Sequence, residues 1–398
     1  MPGPLAGVRV LELPAIGPVP FLGMLLADLG AEVIRIDRVG ADRMGIDRVG
    51  ADRIGAEEDP LSALPIGATG PLGRGRRSIA LDLRQPAGIA IALDLATESD
   101  VLIEGFRPGV AERLGIGPEP ALRRNPRLVY GRMTGWGQTG PLAARAGHDI
   151  TYLAISGLLH DIGPLAGPPT PPANYVCDFG GGAMSLAVGV LAALLSAAST
   201  GQGQVVDAAM VDGAGYLATM VRTLHGHQLW QDGREANIFN GGMPHYRCYR
   251  CADGRYVAVG ALEPKFWTVL LTTLGLDPAT VPSPYEPANH AELTERLGAI
   301  FATRSRDEWA ELFEPVDACV APVLTLGEAP EHPHNAERGS YRRLAGATVA
   351  APTPRFQVTP AELAAEPPAV GADTDAILSG LGLTGQQIAE LRAAGTVG

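Results

Sequence analysis

Residues 8–13 form a β-rich apolar run, 21–29 space their apolar side chains at helical intervals, and 32–37 (EVIRID) return to a strand pattern. Side chains two apart share a face of a strand, and those three or four apart share a face of a helix, so this stretch reads as one βαβ unit. The alternation continues with strands at 78–83, 101–104 and 128–133 and helices at 87–97 and 110–114. Strand and helix patterns in alternation predict an α/β domain with a mainly parallel sheet.

Further along, the pattern predicts a long apolar helix over 181–199, a strand over 204–210 and a second long helix over 211–230. Residues 182–198 carry no charge and lie at the lower edge of the roughly 17 to 25 residues that span a bilayer. Their many Gly, Ser and Ala residues point instead to a buried core helix. Residues 237–244, rich in Asn and Gly, read as a linker. Beyond them, strands at 246–251 and 255–259 flank the turn Ala252-Asp253-Gly254, and helices follow at 265–274, 291–303 and 306–313. Proline-dense stretches at 281–287 and 352–360 mark flexible parts, and amphipathic helices at 374–379 and 385–394 are expected to dock on one of the domains.

One segment breaks the alternation. Residues 36–45 read IDRVGADRMG and 46–55 read IDRVGADRIG, a tandem duplication differing only at Met44 and Ile54. Two copies fall short of the roughly three units that a solenoid needs. A loop lengthened by duplication, at small entropic cost, is the better reading, and it is expected beside a ligand entrance.

With 398 residues and 46% hydrophobic content, the chain can bury one large core and a second, smaller one. The 43 acidic residues outnumber 31 basic ones for a net charge of -12, which argues against a nucleic-acid partner. Four cysteines do not make a disulfide framework, and MPGPLAGVRVLEL has neither a basic leader nor a cleavable apolar core. A cytoplasmic protein with no membrane partner is expected.

The chemistry concentrates at 131–152, GRMTGWGQTGPLAARAGHDITY, where a strand runs into a glycine-rich turn that delivers Gly147, His148 and Asp149 to the start of the next element. Some thirty residues on, Cys177, Asp178, Phe179, Gly180, Gly181 and Gly182 open the long helix. Asp178 at that helix start sits where orphan N–H groups and the dipole favour negative charge. It is either a second proton carrier or simply the helix cap. His160, His225, His227, His245, His290, His332 and His334 read as core or surface residues, and pairs two apart suit no zinc site, so no metal is expected. Cys248 and Cys251 fall on opposite faces of a strand and read as structural. Glu263, in ALEPKFW, reads locally as an N-terminal helix turn.

The arginines add a ligand. Arg38 closes the second strand, Arg74, Arg76 and Arg77 cluster before the third, Arg84 follows it, and Arg107 and Arg113 bracket the turn after 101–104. Open α/β sheets bind ligands beyond the C-terminal ends of their strands, and arginine matches phosphate oxygens bidentately, so a phosphorylated ligand is expected. No G-x-G-x-x-G follows the first strand and no Walker lysine exists, which removes NAD and nucleoside triphosphates from the expectation.

The segments PLAGVRVLEL, EVIRIDR, DVLIEGFRPGVAERLGIG, GRMTGWGQTGP with AGHDI, and DFGGGAMSLAVGVLAALLSAASTGQGQVVDAAMVDG closely resemble the class III CoA-transferase (CaiB/BaiF) family, and within it the α-methylacyl-CoA racemase branch. The resemblance covers nearly the whole chain; the tandem repeat is its main departure. It implies a large Rossmann-like α/β domain plus a smaller α+β domain, in an interlocked homodimer. On that reading 1–225 is the large CoA-binding domain, 226–244 a linker, 245–335 the small domain, and 336–398 a linker with C-terminal helices returning to the large domain. It further implies that His148 and Asp178 flank the α-carbon of an acyl-CoA thioester, with Glu263 orienting the histidine. The CoA thioester is then expected at Arg38, Leu81, Asp82, Leu83, Arg84, Gly105, Phe106, Arg107, Arg113, Gly147, His148, Asp149, Ile150, Thr151 and Tyr152. No cofactor is implied, since CoA is part of the substrate. Arg48, in the second repeat copy, is an alternative to Arg38, which the preceding strand favours.

The transferase alternative uses Asp178 as a covalent nucleophile. Transferases of the family commonly carry an aromatic residue at the position of His148, and the oxalate-type enzymes a glutamine at that of Ala15, ahead of Ile16, Gly17 and Pro18. Both differences favour the racemase. A catalytically idle acyl-CoA-binding protein is the third possibility, should the enlarged loop misplace the bases.

Overall fold

The computed structural model describes residues 3–40 and 70–398, so most of the duplicated loop expected at 36–55, including Arg48, lies outside the described residues. Contacts divide the chain into two units. One comprises Met1–Ser156, Ala173–Leu217 and Glu337–Gly398, and the other comprises Gly157–Pro172 and Ala218–Ala336. The second unit thus begins ahead of the linker expected at 226–244, and it takes in a short segment, 157–172, that no sequence pattern assigned to it. The reason is local bonding: Arg234 donates to the carbonyls of Pro164 (2.8 Å) and Gly167 (2.8 Å), and Trp230 Nε1 donates to Asp161 (2.9 Å).

The first unit is built on a six-stranded parallel sheet in the order β3-β2-β1-β4-β5-β6. Its early elements are β1 (Arg9–Glu12), α1 (Pro18–Asp28), β2 (Glu32–Asp37), β3 (Arg76–Ala80), α2 (Pro86–Thr97) and β4 (Val101–Glu104). Then come α3 (Val110–Leu114), α4 (Pro118–Arg124), β5 (Val129–Thr134), α5 (Asp149–Ser156), a π-helix (Tyr175–Ala183), α6 (Met184–Thr200), β6 (Gln204–Ala209) and α7 (Met210–Leu217). Strands covered on both faces need apolar side chains at successive positions, and Val10, Leu11, Leu13, Val101, Leu102 and Ile103 are all buried. The order reverses between β1 and β4, which makes their C-terminal ends the switch point where such sheets open a crevice.

The long apolar helix begins earlier than its composition indicates and is buried on one side only. Leu186 and Val190 pack beside Gly131 of β5, whereas Val188 (67% exposed) and Leu195 (76% exposed) point away from the sheet. The buried core helix expected at 182–198 is therefore half-buried, because a helix lying on a sheet hides only the stripe that faces it. By length and composition alone Tyr175–Thr200 is long enough to cross a membrane.

In the second unit, the helix expected over 211–230 proves to be two, with a break at Ala218, so that α8 (Thr219–Gly226) falls here. β7 (Tyr246–Arg250), β8 (Tyr256–Gly260) and β9 (Val320–Pro322) form an antiparallel sheet, packed with α9 (Pro264–Thr273), α10 (His290–Phe301) and α11 (Arg306–Phe313). Its core includes Tyr249, Trp267, Phe301, Trp309 and Phe313. Cys251 is buried, Cys248 exposed, and all four cysteines are free thiols. After α12 (Pro333–Arg338) come the hairpin strands β10 (Tyr341–Leu344) and β11 (Ala347–Ala350), then α13 (Thr374–Gly380) and α14 (Gly385–Ala393). Ile377, Leu378, Ile388 and Val397 join the core of the first unit, and the Gly398 N–H donates to Ala80 at 3.2 Å.

Candidate active site

The turn that follows β5 is shaped around one ring. A Cβ on Gly147 would stand 2.5 Å from the Tyr152 ring, and one on Gly135 would strike it too, so both positions need glycine for that ring to pack edge-on to Trp136, 4.7 Å away. His148 occupies the N-cap position of α5. Its carbonyl accepts from the N–H groups of Thr151 (2.8 Å) and Tyr152 (3.2 Å), and its own N–H donates to Thr151 Oγ1 (3.0 Å), whose hydroxyl donates back to the His148 carbonyl (2.7 Å). This pins the backbone of His148 and leaves its imidazole exposed.

Asp178 lies in the first turn of the π-helix, a rare geometry often found at functional sites. It does not cap that helix, contrary to one reading of its sequence position. Asp149 does: its Oδ2 accepts from the N–H groups of Cys177 and Asp178, both at 2.8 Å. The Asp178 carboxylate, released from that task, accepts one bond from Asn174 Nδ2 (3.1 Å). Burial pushes its pKa up, the Asn174 bond pulls against this, the charge of Asp149 adds to the rise, and His148 lowers it. His148 and Asp178 are thus within electrostatic reach of each other. Gly17, at the start of α1, lies beside Asp178 Oδ2, and Ala15 and Val19 lie against Gly105. The loop after β1 therefore reaches Asp178, the loop after β4 packs against that loop, and the turn after β5 brings in Asp149. Sequence reasoning missed Asn174, although its spacing of four from Asp178 on one helix was the available signal.

The helix carrying Asp178 is seated by backbone contact. A Cβ on Gly181 would lie 2.6 Å from the Ala214 nitrogen, and one on Gly213 would lie 2.5 Å from the Gly181 carbonyl carbon, so the glycines of this run let α7 touch the π-helix main chain to main chain.

Most positions expected to hold CoA follow consecutive strands on the C-terminal edge of the sheet: Arg38 after β2, Asp82, Leu83 and Arg84 after β3, and Gly105, Arg107 and Arg113 after β4. Gly147, Ile150 and Thr151 surround the start of α5, with Ile150 and Thr151 exposed. The side chains of Leu81, Phe106 and Tyr152 are buried, so Leu81 and Phe106 can offer backbone only. The Tyr152 hydroxyl stays protonated because burial and the nearby Asp178 push its pKa up to about 12. Arg84 is exposed but bonded to Asp82 by Nε (2.9 Å) and Nη2 (3.1 Å).

The cluster Arg74, Arg76 and Arg77 is not a phosphate site. Arg74 is buried against Asp28 (2.5 Å), Arg76 against Glu12 (3.0 Å), and Arg77 pairs with Glu32 (2.8 Å). Their role is to neutralise acids inside or beside the sheet. A second buried network lies under the loop after β4: Glu104 accepts from Arg132 Nε (2.8 Å) and from the Phe106 N–H (2.6 Å), and Arg132 reaches on to Glu112 (2.7 Å). Burial, opposed by Arg132, pushes the Glu104 carboxyl up to about 7.

Glu263 belongs to the second unit, at the N-cap position of α9. Its side chain makes no capping bond to that helix. The Tyr285 hydroxyl braces the preceding carbonyl, Leu262, at 2.8 Å.

Residues 5–374 match the model of the family described as CoA-transferase family III. The chain belongs to that family. It is 40% identical to the alpha-methylacyl-CoA racemase of Mus musculus over 98% of this chain and 96% of the relative. The alpha-methylacyl-CoA racemase of Homo sapiens is likewise 40% identical, over 98% of this chain and 96% of its own. Among solved structures, a CAIB/BAIF family protein from Brucella suis superposes with a TM-score of 0.78 at 26% identity, covering 96% of this chain and all of that one. The parallel central sheet is thus the family's own, and the relatives act on acyl-CoA.

Proposed function

We propose that the chain is an α-methylacyl-CoA racemase that interconverts (2R)- and (2S)-2-methylacyl-CoA thioesters by 1,1-proton transfer. The observation that carries this reading is the pairing of an exposed imidazole, His148, with a half-buried carboxyl, Asp178, whose raised pKa suits it to hold a proton as well as take one. The thioester carbonyl acidifies the α-hydrogen. One of the two groups removes it, and the other delivers a proton to the opposite face of the planar enolate. Each group works at about 2.6 to 3.2 Å from the carbon-bound proton's path. The N–H groups of Cys177 and Asp178 already donate to Asp149, so the enolate oxygen falls to the N–H of Asp149 itself at the start of α5. A donor of this kind lowers a barrier by roughly 3 to 4 kcal/mol. The family resemblance gives Glu263 the part of the orienting carboxylate.

Arg38, Arg84, Arg107 and Arg113 are the proposed contacts to the CoA phosphates. A second copy of the chain is the proposed partner, supported by the large exposed apolar side chains Val188, Leu195 and Tyr216 on α6 and α7. The reaction needs no cofactor, and the protein works in the cytoplasm.

Incubation with (2R)- or (2S)-2-methylacyl-CoA in deuterated water tests the reading. Deuterium at the α-carbon with loss of configuration is expected, and its absence in the wild type would sink the racemase. The family membership keeps the transferase in view. In that case an acceptor carboxylic acid would take up the CoA and hydroxylamine would intercept the aspartyl adduct on Asp178, with no α-deuteration.

A further inference from the structure

The carboxylate of Asp149 is 6% exposed, and the mechanism above uses only its backbone. Oδ2 holds two main-chain N–H groups, those of Cys177 and Asp178, while Oδ1 is buried with no hydrogen-bond partner among the described residues. The N–H groups at a helix start have no partner within the helix, and a carboxylate answers both their hydrogen bonds and the helix dipole. Capping residues ordinarily come from the segment just before the helix. Here the cap comes from a residue 28 and 29 positions away, next in sequence to His148.

We propose that Asp149 is a positioning residue that ties the turn presenting His148 to the helix turn presenting Asp178, and so sets the spacing and the charge environment of the two bases. The inference rests on the racemase reading for its kinetic consequence, but the coupling itself is a property of the fold. Other groups facing the pair do not duplicate that charge. Tyr152 and Cys177 are both pushed up to about 12 by burial and stay neutral, Asn174 is uncharged, His148 acts on Asp178 in the opposite sense to Asp149, and Arg107 acts on Tyr152. Asp149 is the carboxylate whose charge raises Asp178, and removing that charge lowers the proton affinity of Asp178.

Asp149→Asn keeps an oxygen for the two N–H groups and deletes the charge. The acidic limb of its kcat profile is expected to move to lower pH, with KM for the acyl-CoA within about threefold of wild type. Asp149→Ala deletes the tie, and a displacement on the order of 1 Å at a catalytic group costs about 10²-fold in kcat. Two readouts stand apart from activity. The amides of Cys177 and Asp178 should lose at least tenfold of their hydrogen-exchange protection in Asp149→Ala, and the carbon-13 titration of the Asp178 carboxyl should shift down in Asp149→Asn. If Asp149→Ala does not fold, Asp149→Asn carries the test through its pH profile and the titration. An unmoved titration and pH profile in Asp149→Asn, or unchanged amide protection in Asp149→Ala, overturns the proposal. A wild type without α-deuterium exchange, together with the titration shift, overturns the racemase and leaves the coupling standing.

Discussion

Replacing Gly213 by alanine tests whether the main-chain contact between α7 and the π-helix sets the position of Asp178. The new Cβ would lie 2.5 Å from the carbonyl carbon of Gly181 and nearer still to its oxygen, where ordinary contact begins at 3.4 Å. The obstacle is backbone, which cannot swing aside as a side chain can, so the two helices must part by more than the 0.9 Å shortfall at the carbon, because the oxygen is closer still. Overpacking of this kind costs about 1 to 3 kcal/mol or more. Gly181 follows Asp178 by three residues in the same helix, so a comparable displacement reaches the carboxylate and should reduce kcat about 10²-fold. Gly215, on α7 with Gly213, has nothing within 4 Å of its missing Cβ. Gly215→Ala should therefore gain up to about 1 kcal/mol from helix propensity. Urea unfolding and α-deuterium exchange, run on both variants and the wild type, make the comparison. If Gly213→Ala matches Gly215→Ala in stability and exchanges deuterium at the wild-type rate, the close approach does not seat Asp178.

Arg76→Met leaves Glu12 buried without its partner and should cost about 3 to 5 kcal/mol, much of it recovered by Arg76→Met with Glu12→Leu; a single variant within about 1 kcal/mol of wild type in urea unfolding refutes the buried pair. Burial raises Glu104 from 4.5 to about 7, so the folded state binds its proton more tightly than the unfolded state. The resulting stabilisation, on the order of 3 kcal/mol, is present below pH 4.5 and lost as pH rises through 7; unfolding of the wild type and Glu104→Gln across that window should diverge accordingly, and parallel curves refute it. Arg107→Ala, at an exposed position beyond β4, should weaken CoA binding about tenfold, by roughly 1.4 kcal/mol, with a shallower salt dependence in calorimetry; an unchanged Kd removes Arg107 from the phosphate site.

Much of the fold was legible along the chain because its signals are local. The strand at 101–104 and the helices at 110–114 and 306–313 coincide with the observed elements, since apolar period, proline and glycine act over a few residues. The family was likewise legible, because the segments that resemble it are long and spread over nearly the whole chain. The break at Ala218, the attachment of 157–172 to the second unit, and the hairpin β10–β11 escaped, since each depends on partners distant in sequence. His148 and Asp178 could be named from their glycine-flanked loops. The jobs of their neighbours could not.

What the sequence determined by itself was therefore most of the order of elements, the parallel α/β class and the two candidate groups, His148 and Asp178. What only the tertiary structure decided was which charges are free to act. Arg74 and Arg76 look like phosphate ligands in one dimension and are buried counter-ions in three. Asp178 looks like a helix cap until Asp149, from another element, takes over the two N–H groups. The physical reason is that a charged side chain acquires its role from whatever hydrogen-bonds and buries it, and in a parallel sheet those partners arrive from crossovers many residues away.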